Sequence, residues 1–299
     1  MGEFAGELYC LGAASMWAVA VAIFRRPIQR FGAPAVNLVK SVIAAGLLGL
    51  TVLAIDQGGA LANAGSGPLW LIAASGLVGL TLGDTALFAA VGRIGPYRTM
   101  LLQTLAPVFT ALFAMFWLDT VPTLREVLGA GIILTGVLMV VAPAVGTGPD
   151  RGAGVAGYLF GTLAALGQGV GIVLAKDGME TIPFIPATFF RLVVAAAGLM
   201  VLTVVGGRMK RVWQAVGDGR SLGRMAGASF LGTYLAMMCM MAGVALAPPA
   251  VSATLLSTTP VFSLFIEARL KREPIPRRKI LGTAIAVLGV AVLAGIGSV

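Results

Sequence analysis

Three charged residues stand inside long apolar stretches of this 299-residue sequence, and their types could do chemistry there. Lys40 lies in the apolar run 34–55, Asp84 in the run 68–91 and Arg191 in the run 185–205. A charge inside an apolar, membrane-spanning segment is costly, so such a residue indicates a binding, gating or ion-coupling role. The rest of the chain must position these three groups.

Lys40 and Arg191 offer two ways to hold an anion. Arginine presents a planar two-pronged donor, whereas lysine presents a compact point charge. If both faced one central cavity, they would attract an anionic group such as a carboxylate. The competing interpretation is that both side chains extend toward the membrane surface or tie helix ends together.

Two carboxylates are candidates for coupling a proton or forming an ion pair. Asp84 could take up a proton, because burial disfavours the charged form of a carboxyl group. It could equally stay ionised beside Lys40 as a structural pair. Glu267 ends the ninth apolar run next to Arg269, where surface pairing with arginines competes with proton coupling.

Four uncharged residues are candidates for binding or gating a solute, since rings stack on solutes and polar side-chain groups hydrogen-bond to them. Helix packing is the alternative for each of them. They are Trp17, Gln168, Gln103 and Tyr234.

Pro107 and Pro260 lie inside apolar runs, where a proline frees a backbone carbonyl and can bend a helix. They are candidate hinges, and a static kink is the alternative. Polar turns precede both prolines, with Gln103 and Thr104 before the first and Ser257 to Thr259 before the second.

The composition excludes several function classes. The chain is 58% hydrophobic and 11% charged, with mean hydropathy +0.97, so lipid must be its solvent. It has no histidine, and Cys10 and Cys239 stand alone, which predicts no metal site, no cofactor and no catalytic residues. The net charge of +9 falls mostly in short connections, which argues against nucleic acid as a partner. No Walker motif is present, so ATP does not drive the protein directly.

Ten apolar runs are long enough to cross a bilayer, for which about 20 residues are needed. The richness in glycine argues against alternating strands, so the predicted fold is an all-α integral membrane protein with ten transmembrane helices. The runs are 5–24, 34–55, 68–91, 98–118, 124–143, 154–175, 185–205, 222–246, 249–267 and 278–297.

The sequence contains an internal repeat. Residues 107–137 return at 260–290 with an offset of 153, and the front of each half matches at an offset of 151, which places Lys40 on Arg191. The repeat predicts two five-helix units, residues 1–147 and 148–299. An odd number of spans per unit inverts the second unit in the membrane, the plan of many secondary transporters.

Glycines seven residues apart repeat in both copies and put a small face on the fifth and tenth helices. We expect these two helices to pack against each other through the four glycines, across the pseudo-two-fold axis and away from the pore. They are Gly129, Gly136, Gly282 and Gly289.

Most of the 21 lysines and arginines fall in the connections 1–2, 3–4, 5–6, 7–8 and 9–10. These connections lie on one face of a ten-helix protein. The positive-inside rule then predicts that both termini lie outside the cytoplasm.

Two units that each close with Pro-Val-Phe, a charged turn and a Gly-x6-Gly-Val segment resemble the EamA family of the drug/metabolite transporter superfamily. The run Gly83–Gly95 is similar to the third helix of many members. The resemblance implies a glutamate after the fourth helix of each unit. Glu273 matches it in the second copy, whereas the first copy has Thr120, with Asp119 one residue earlier.

The resemblance also implies an arginine in the second helix of each unit, matched by Arg191 and replaced by Lys40. Relatives often carry both termini in the cytoplasm, against the charge count. The resemblance implies a transporter, not an enzyme, that exports a small metabolite such as an amino acid-like or amphiphilic solute.

The resulting hypothesis is a secondary transporter in a bacterial-type cytoplasmic membrane, working by alternating access on a small organic solute, with the proton as a possible coupling ion. An uncoupled facilitator and a non-transporting membrane scaffold are the alternatives. A monomer suffices because both orientations are already present in one chain, and a dimer stays open.

Overall fold

The computed structural model describes residues 4–117, 123–141, 151–247, 249–272 and 274–294, and within these ranges every regular element is helical. Two short helices, Gly59–Ala62 and Met209–Gly217, lie in connections between the long ones. The long helices are α1 (Ala5–Phe31), α2 (Ala33–Ala54), α3 (Ser66–Ile94), α4 (Pro96–Trp117), α5 (Leu124–Val141), α6 (Arg151–Gly178), α7 (Phe184–Val205), α8 (Gly219–Leu246), α9 (Pro249–Leu256 followed by Thr259–Lys271) and α10 (Arg277–Ala294).

In the part of the chain that the structure describes, nine helices are long and apolar enough to cross a membrane by length and composition. The tenth, α10, begins with three basic residues and is apolar thereafter. The all-helical prediction is confirmed, and the count of ten spans stays a prediction. The predicted boundary between residues 147 and 148 lies outside the described residues, as do Asp119, Thr120 and Glu273.

The first helix extends further than its apolar run. We expected residues 25–30 to form a connection, but α1 continues through Pro27 to Phe31 and carries Arg25, Arg26 and Arg30 in its last turns. It ends at Gly32, whose φ of 85° suits a residue without a side chain. Gly95 ends α3 with a φ of 84°. The apolar run therefore underestimated the helix, because its last turns lie where basic side chains reach water.

Helices α5 and α10 pack as the glycine spacing predicts. A methyl group built on Gly129 would lie 2.6 Å from the backbone nitrogen of Leu293, and one on Gly289 would lie 2.6 Å from that of Ile133. One on Gly136 would lie 2.5 Å from the backbone nitrogen of Ala286. Positions later in α5 thus meet positions earlier in α10, so these equivalent helices run antiparallel with their backbones in contact.

The first helix of each repeat packs on the third helix of the other repeat. In the first contact, Gly79 of α3 meets Gly171 of α6, whose Cα lies 3.5 Å from the place of a Gly79 methyl. In the second, Gly232 of α8 meets Ala20 of α1, whose Cβ lies 2.3 Å from the place of a Gly232 methyl. Offsets of 153 and 151 relate these two contacts, so the packing repeats together with the sequence.

Both third helices contain a π-helical segment at the same place in the repeat. Gly76–Gly83 is π-helical within α3, and Ser229–Leu235 is π-helical within α8. Such wide turns are rare and often occur at functional sites, because they shift the register of the residues that follow. We call Gly76–Gly83 the first π segment and Ser229–Leu235 the second π segment.

Helices α4 and α9 are each broken in the middle. The break falls at Thr104 and Leu105 in α4 and at Ser257 and Thr258 in α9. At each break a threonine hydroxyl donates to a carbonyl of the preceding turn, Thr104 to Leu101 at 2.7 Å and Thr258 to Leu255 at 2.6 Å. These back-bonded hydroxyls satisfy carbonyls at the end of the first half-helix.

Candidate functional site

Lys40 and Asp84 form a buried ion pair at the C-terminal end of the first π segment. The ammonium of Lys40 donates to the Oδ2 of Asp84, and the side chains are 1% and 7% exposed. The Lys40 nitrogen also lies 5.3 Å from the centre of the Phe88 ring. The structure brings these residues together as the structural-pair interpretation of Asp84 expects.

Asn37 completes this arrangement from α2, one turn before Lys40. Its amide donates to the Leu80 carbonyl at 2.9 Å and to the Thr85 hydroxyl at 3.0 Å. Leu80 belongs to the π segment, so the amide satisfies a carbonyl there. Sequence reasoning missed Asn37. The signal was a polar amide inside an apolar run, three residues before Lys40 and so on the same face of the helix.

Arg191 approaches the same π segment from α7. A methyl on Gly76 would lie 2.7 Å from the Arg191 carbonyl oxygen, and one on Gly79 would lie 3.5 Å from its Nη2. The Asp84 carboxylate acts electrostatically on the guanidinium, but no hydrogen bond joins them among the described residues. The Nε of Arg191 is buried and has no hydrogen-bond partner there. Both repeat-related cations thus reach one segment, and of the two only Lys40 has a hydrogen-bond partner among the described residues.

Gln168 lies beside this group on α6. Its neighbours Gly167 and Gly171 face the π segment, with the Gly83 Cα 3.0 Å from a Gly167 methyl. Gly169 faces the second half of α4 instead, since a methyl there would lie 2.8 Å from the Thr110 nitrogen. Helical geometry places Gln168 between these two contact faces, and the residue is exposed. Its side chain therefore lies between the face of α6 that contacts α3 and the face that contacts α4.

Trp17 and Tyr234 lie at the second π segment. The Trp17 ring is half-buried, and its Cε3 lies 3.4 Å from the place of a Gly232 methyl. The Tyr234 hydroxyl is 2.9 Å from the hydroxyl of Thr51 on α2. Two further hydroxyls of this helix, on Ser229 and Thr233, are buried without a partner in the described part of the chain.

Gln103, Pro107 and Pro260 lie at the helix breaks. Gln103 is the last residue of the first half of α4, and its Oε1 is buried with no hydrogen-bond partner among the described atoms. Pro107 and Pro260 are each the second residue of the half-helix that follows the break. A proline there loses no helical hydrogen bond, because its backbone nitrogen precedes the first intrahelical donor.

Glu267 is buried and not at the surface, and its pairing with arginines or its coupling to a proton stays a prediction. Its residue is only 9% exposed, and its Oε2 accepts a hydrogen bond at 3.3 Å from the backbone N–H of Tyr97. Tyr97 is the second residue of α4, so the carboxylate caps that helix where the helix dipole favours negative charge. The Tyr97 hydroxyl lies 2.9 Å from that of Thr283 on α10. Glu267 is thus distant from Lys40 and Arg191 and joins helix ends.

The two repeats differ in how their helices close. In the first repeat, α1 packs on α2, and both pack on the half of α3 that follows the π segment. The equivalent contacts would join α6 to α7 and both to the end of α8. Within the described ranges, these helices make little or no close approach. The repeat that carries Arg25, Arg26 and Arg30 is thus closed, and the other repeat is more open, although side chains of α7 and α8 such as Leu192 and Tyr234 share one apolar cluster.

Two cavities lie at the basic face, away from the π segments. One of 260 Å³ borders the α1–α2 turn and Arg93. One of 680 Å³ borders the α9–α10 turn with Arg269 and Arg272. No group of three metal-ligating side chains occurs among the residues that the structure describes.

Comparison with known families bears on this arrangement directly. The EamA-like transporter family matches residues 4–142 and again residues 155–295. The chain belongs to the EamA-like transporter family. Its members are membrane transporters of the drug/metabolite type, so a small-molecule solute and a lipid bilayer are the partners of this EamA-like protein. The resemblance drawn from the repeated motifs is confirmed.

A solved crystal structure shares the fold of this EamA-like chain. It aligns with a TM-score of 0.64 over 97% of this chain and 96% of its own length, at 16% sequence identity. No curated protein sequence matches the chain.

Proposed function

We propose that this protein is a secondary transporter that moves a small organic solute across a bacterial-type cytoplasmic membrane by alternating access. The observation that carries the proposal is the unequal closure of two equivalent repeats around the first π segment. If the repeats exchange conformations, the segment becomes accessible from one face and then from the other. The inverted plan is supported by the antiparallel contact of α5 and α10.

The solute route that we propose passes between the repeats, beside the first π segment. Arg191, Gln168 and Trp17 border this route, with Tyr234 and Gln103 on its far side. Pro107 and Pro260 sit where the half-helices of α4 and α9 would bend. We place the basic face in the cytoplasm, with both termini outside, and assign export of an amino acid-like or amphiphilic solute as the direction.

Coupling to protons is the finer part of the proposal. Asp84 can take up a proton only if Lys40 releases it, since the two groups form a buried pair. An uncoupled facilitator is the second candidate, favoured by the same observation, because an ion pair that never separates cannot carry a proton across the membrane.

Flux measurements in proteoliposomes decide between these candidates. We would follow a panel of labelled amino acids with and without a pH gradient, comparing wild type with Asp84→Asn. Asp56→Asn is the matched control, because Asp56 is exposed in the α2–α3 connection. Gradient-dependent flux that only Asp84→Asn abolishes supports proton coupling at Asp84. Gradient-independent flux that survives this change supports the facilitator. Wild-type protein that moves no solute would contradict transport and favour a scaffold.

A further inference from the structure

We infer that the transported solute carries one carboxylate and that Arg191 binds it beside the first π segment. The inference rests on the proposed function and names the class of substrate. It starts from an imbalance of charge at this segment, where two cations converge with one carboxylate.

The imbalance follows from the repeat. Lys40 in α2 has its carboxylate partner in Asp84 of α3. Position 237 of α8 is the equivalent of Asp84 and holds methionine, so the second repeat keeps the cation but lacks the acid. Arg191 packs on the first π segment instead, where Asp84 is already bound to Lys40. With Asp84 ionised, one positive charge is left uncompensated at this site.

Two other arginines hydrogen-bond to backbone carbonyls, whereas the buried Nε of Arg25 has no partner among the described residues but lies at the end of α1, away from any buried carboxylate. Arg93 donates to the Ala89 carbonyl at 3.1 Å, and Arg278 donates to the Met139 carbonyl at 2.5 Å. Arg191 has no such acceptor in the described ranges, although its Nε is buried. A buried charge without a partner is destabilising, and a partner that arrives from outside the chain would relieve this cost.

The surroundings admit such a partner. Arg191 is half-buried, and the backbones of α7 and α8 make little close approach in the described ranges. On the proposed route, a solute entering beside α7 would meet the guanidinium without displacing the Lys40–Asp84 pair. The planar fork of arginine matches a carboxylate with two parallel hydrogen bonds. One uncompensated charge balances a carboxylate better than a phosphate monoester, which carries about −1.5 to −2 at neutral pH.

Pairs of solutes that differ only in charge test the inference. Purified protein would be mixed with butyrate or butyramide, benzoate or benzamide, and inorganic phosphate, and its thermal unfolding followed. We expect the carboxylates to stabilise wild-type protein and the amides not to. Removing one charged hydrogen-bond donor in Arg191→Gln should weaken apparent carboxylate binding by about ten- to a hundredfold. Arg191→Lys should retain part of it, and Arg208→Gln, at an exposed position just after α7, should leave it unchanged.

The unfolding temperature measured without solute shows whether Arg191 is a solute-binding residue or a structural one. If Arg191 awaits a ligand, Arg191→Gln unfolds at the wild-type temperature or above it. A fall in unfolding temperature as large as that of Lys40→Met would show a structural role and overturn the inference. Equal stabilisation by amides, preference for phosphate, or carboxylate binding that survives Arg191→Gln would each overturn it as well.

Flux of the same panel distinguishes this failure from that of the proposed function. If only amides or amines are transported, the proposed transport function holds and the inference of a carboxylate solute is refuted. Flux of no member at all would remove the proposed function, and the inference would fall with it.

Discussion

The two repeats share a fold but differ at their third helices. The first π segment ends beside a charged pair, and Lys40, Asp84, Asn37 and Thr85 link this end to α2. The second π segment has no ion pair beside it among the described residues, the hydroxyls of Ser229 and Thr233 have no partner there, and the backbone of α7 makes little close approach to it. Equivalent sequences thus hold two different conformations in one molecule. The closed repeat shows which contacts the open one can form, which makes the difference testable.

Cysteine pairs at equivalent places should give the largest effect. A Gly92 methyl would lie 3.0 Å from the Cγ2 of Ile28 in the closed repeat. Ile28→Cys with Gly92→Cys, in a background without Cys10 and Cys239, should therefore form a disulfide at rest and abolish flux until it is reduced.

The equivalent pair in the open repeat, Met179→Cys with Ala245→Cys, should form a disulfide only during transport. The measurement is the crosslinked fraction on a gel with and without solute. Crosslinking of both pairs at rest, or of neither, would remove the basis for alternating access.

The ion pair should give the next largest effect. Lys40→Met alone leaves Asp84 buried without a partner and should cost about 3–5 kcal/mol of stability. Adding Asp84→Leu should recover most of this loss, because replacing both buried charges by apolar groups is often neutral. Chemical unfolding in detergent micelles measures both effects. A double variant as unstable as the single one would mean that the pair acts through other contacts.

The two cross-repeat glycine contacts should give the smallest effect. Gly232→Ala places a methyl 2.3 Å from the Cβ of Ala20 and should cost about 1–3 kcal/mol. Gly79→Ala meets its nearest atoms at 3.5 Å and should cost less than about 0.5 kcal/mol.

Ala20→Gly tests whether a clash with Ala20 causes this loss of stability. It makes the contact at Gly232 a glycine–glycine contact, like that of Gly79 with Gly171. Added to Gly232→Ala, it should return stability to within about 1 kcal/mol of wild type, the usual cost of a glycine in a helix. No recovery in the same unfolding measurement would mean that the clash lies elsewhere.

Several of these helix contacts can be predicted from the order of residue types along the chain. Glycines seven apart predict the contact of α5 and α10, because backbones can approach only where side chains are absent. Charges inside apolar runs predict that Lys40 and Asp84 meet. The π segments have no comparable signal, since a wide turn arises from packing between helices and not from local propensity.

Neither the burial of Glu267 nor the surroundings of Arg191 could be predicted from the sequence. Glu267 reads as a surface residue because arginines follow it, yet the start of α4 from the other repeat covers it. Within the described ranges Arg191 lacks a hydrogen-bond partner, and this lack follows from the methionine at position 237, 46 residues away, which stands at the equivalent of Asp84. Such features follow from tertiary contacts that a single sequence does not specify.

The glycine seam between α5 and α10 has a consequence for how such a chain could arise. Each helix offers the same face to the other, so Gly129 meets its partner as Gly282 meets its own, and the contact is self-complementary. A surface of this kind joins two copies of one protein as readily as two halves of another. A gene encoding only the first five helices would already encode both sides of the joint. Duplication and fusion then needed no new interface.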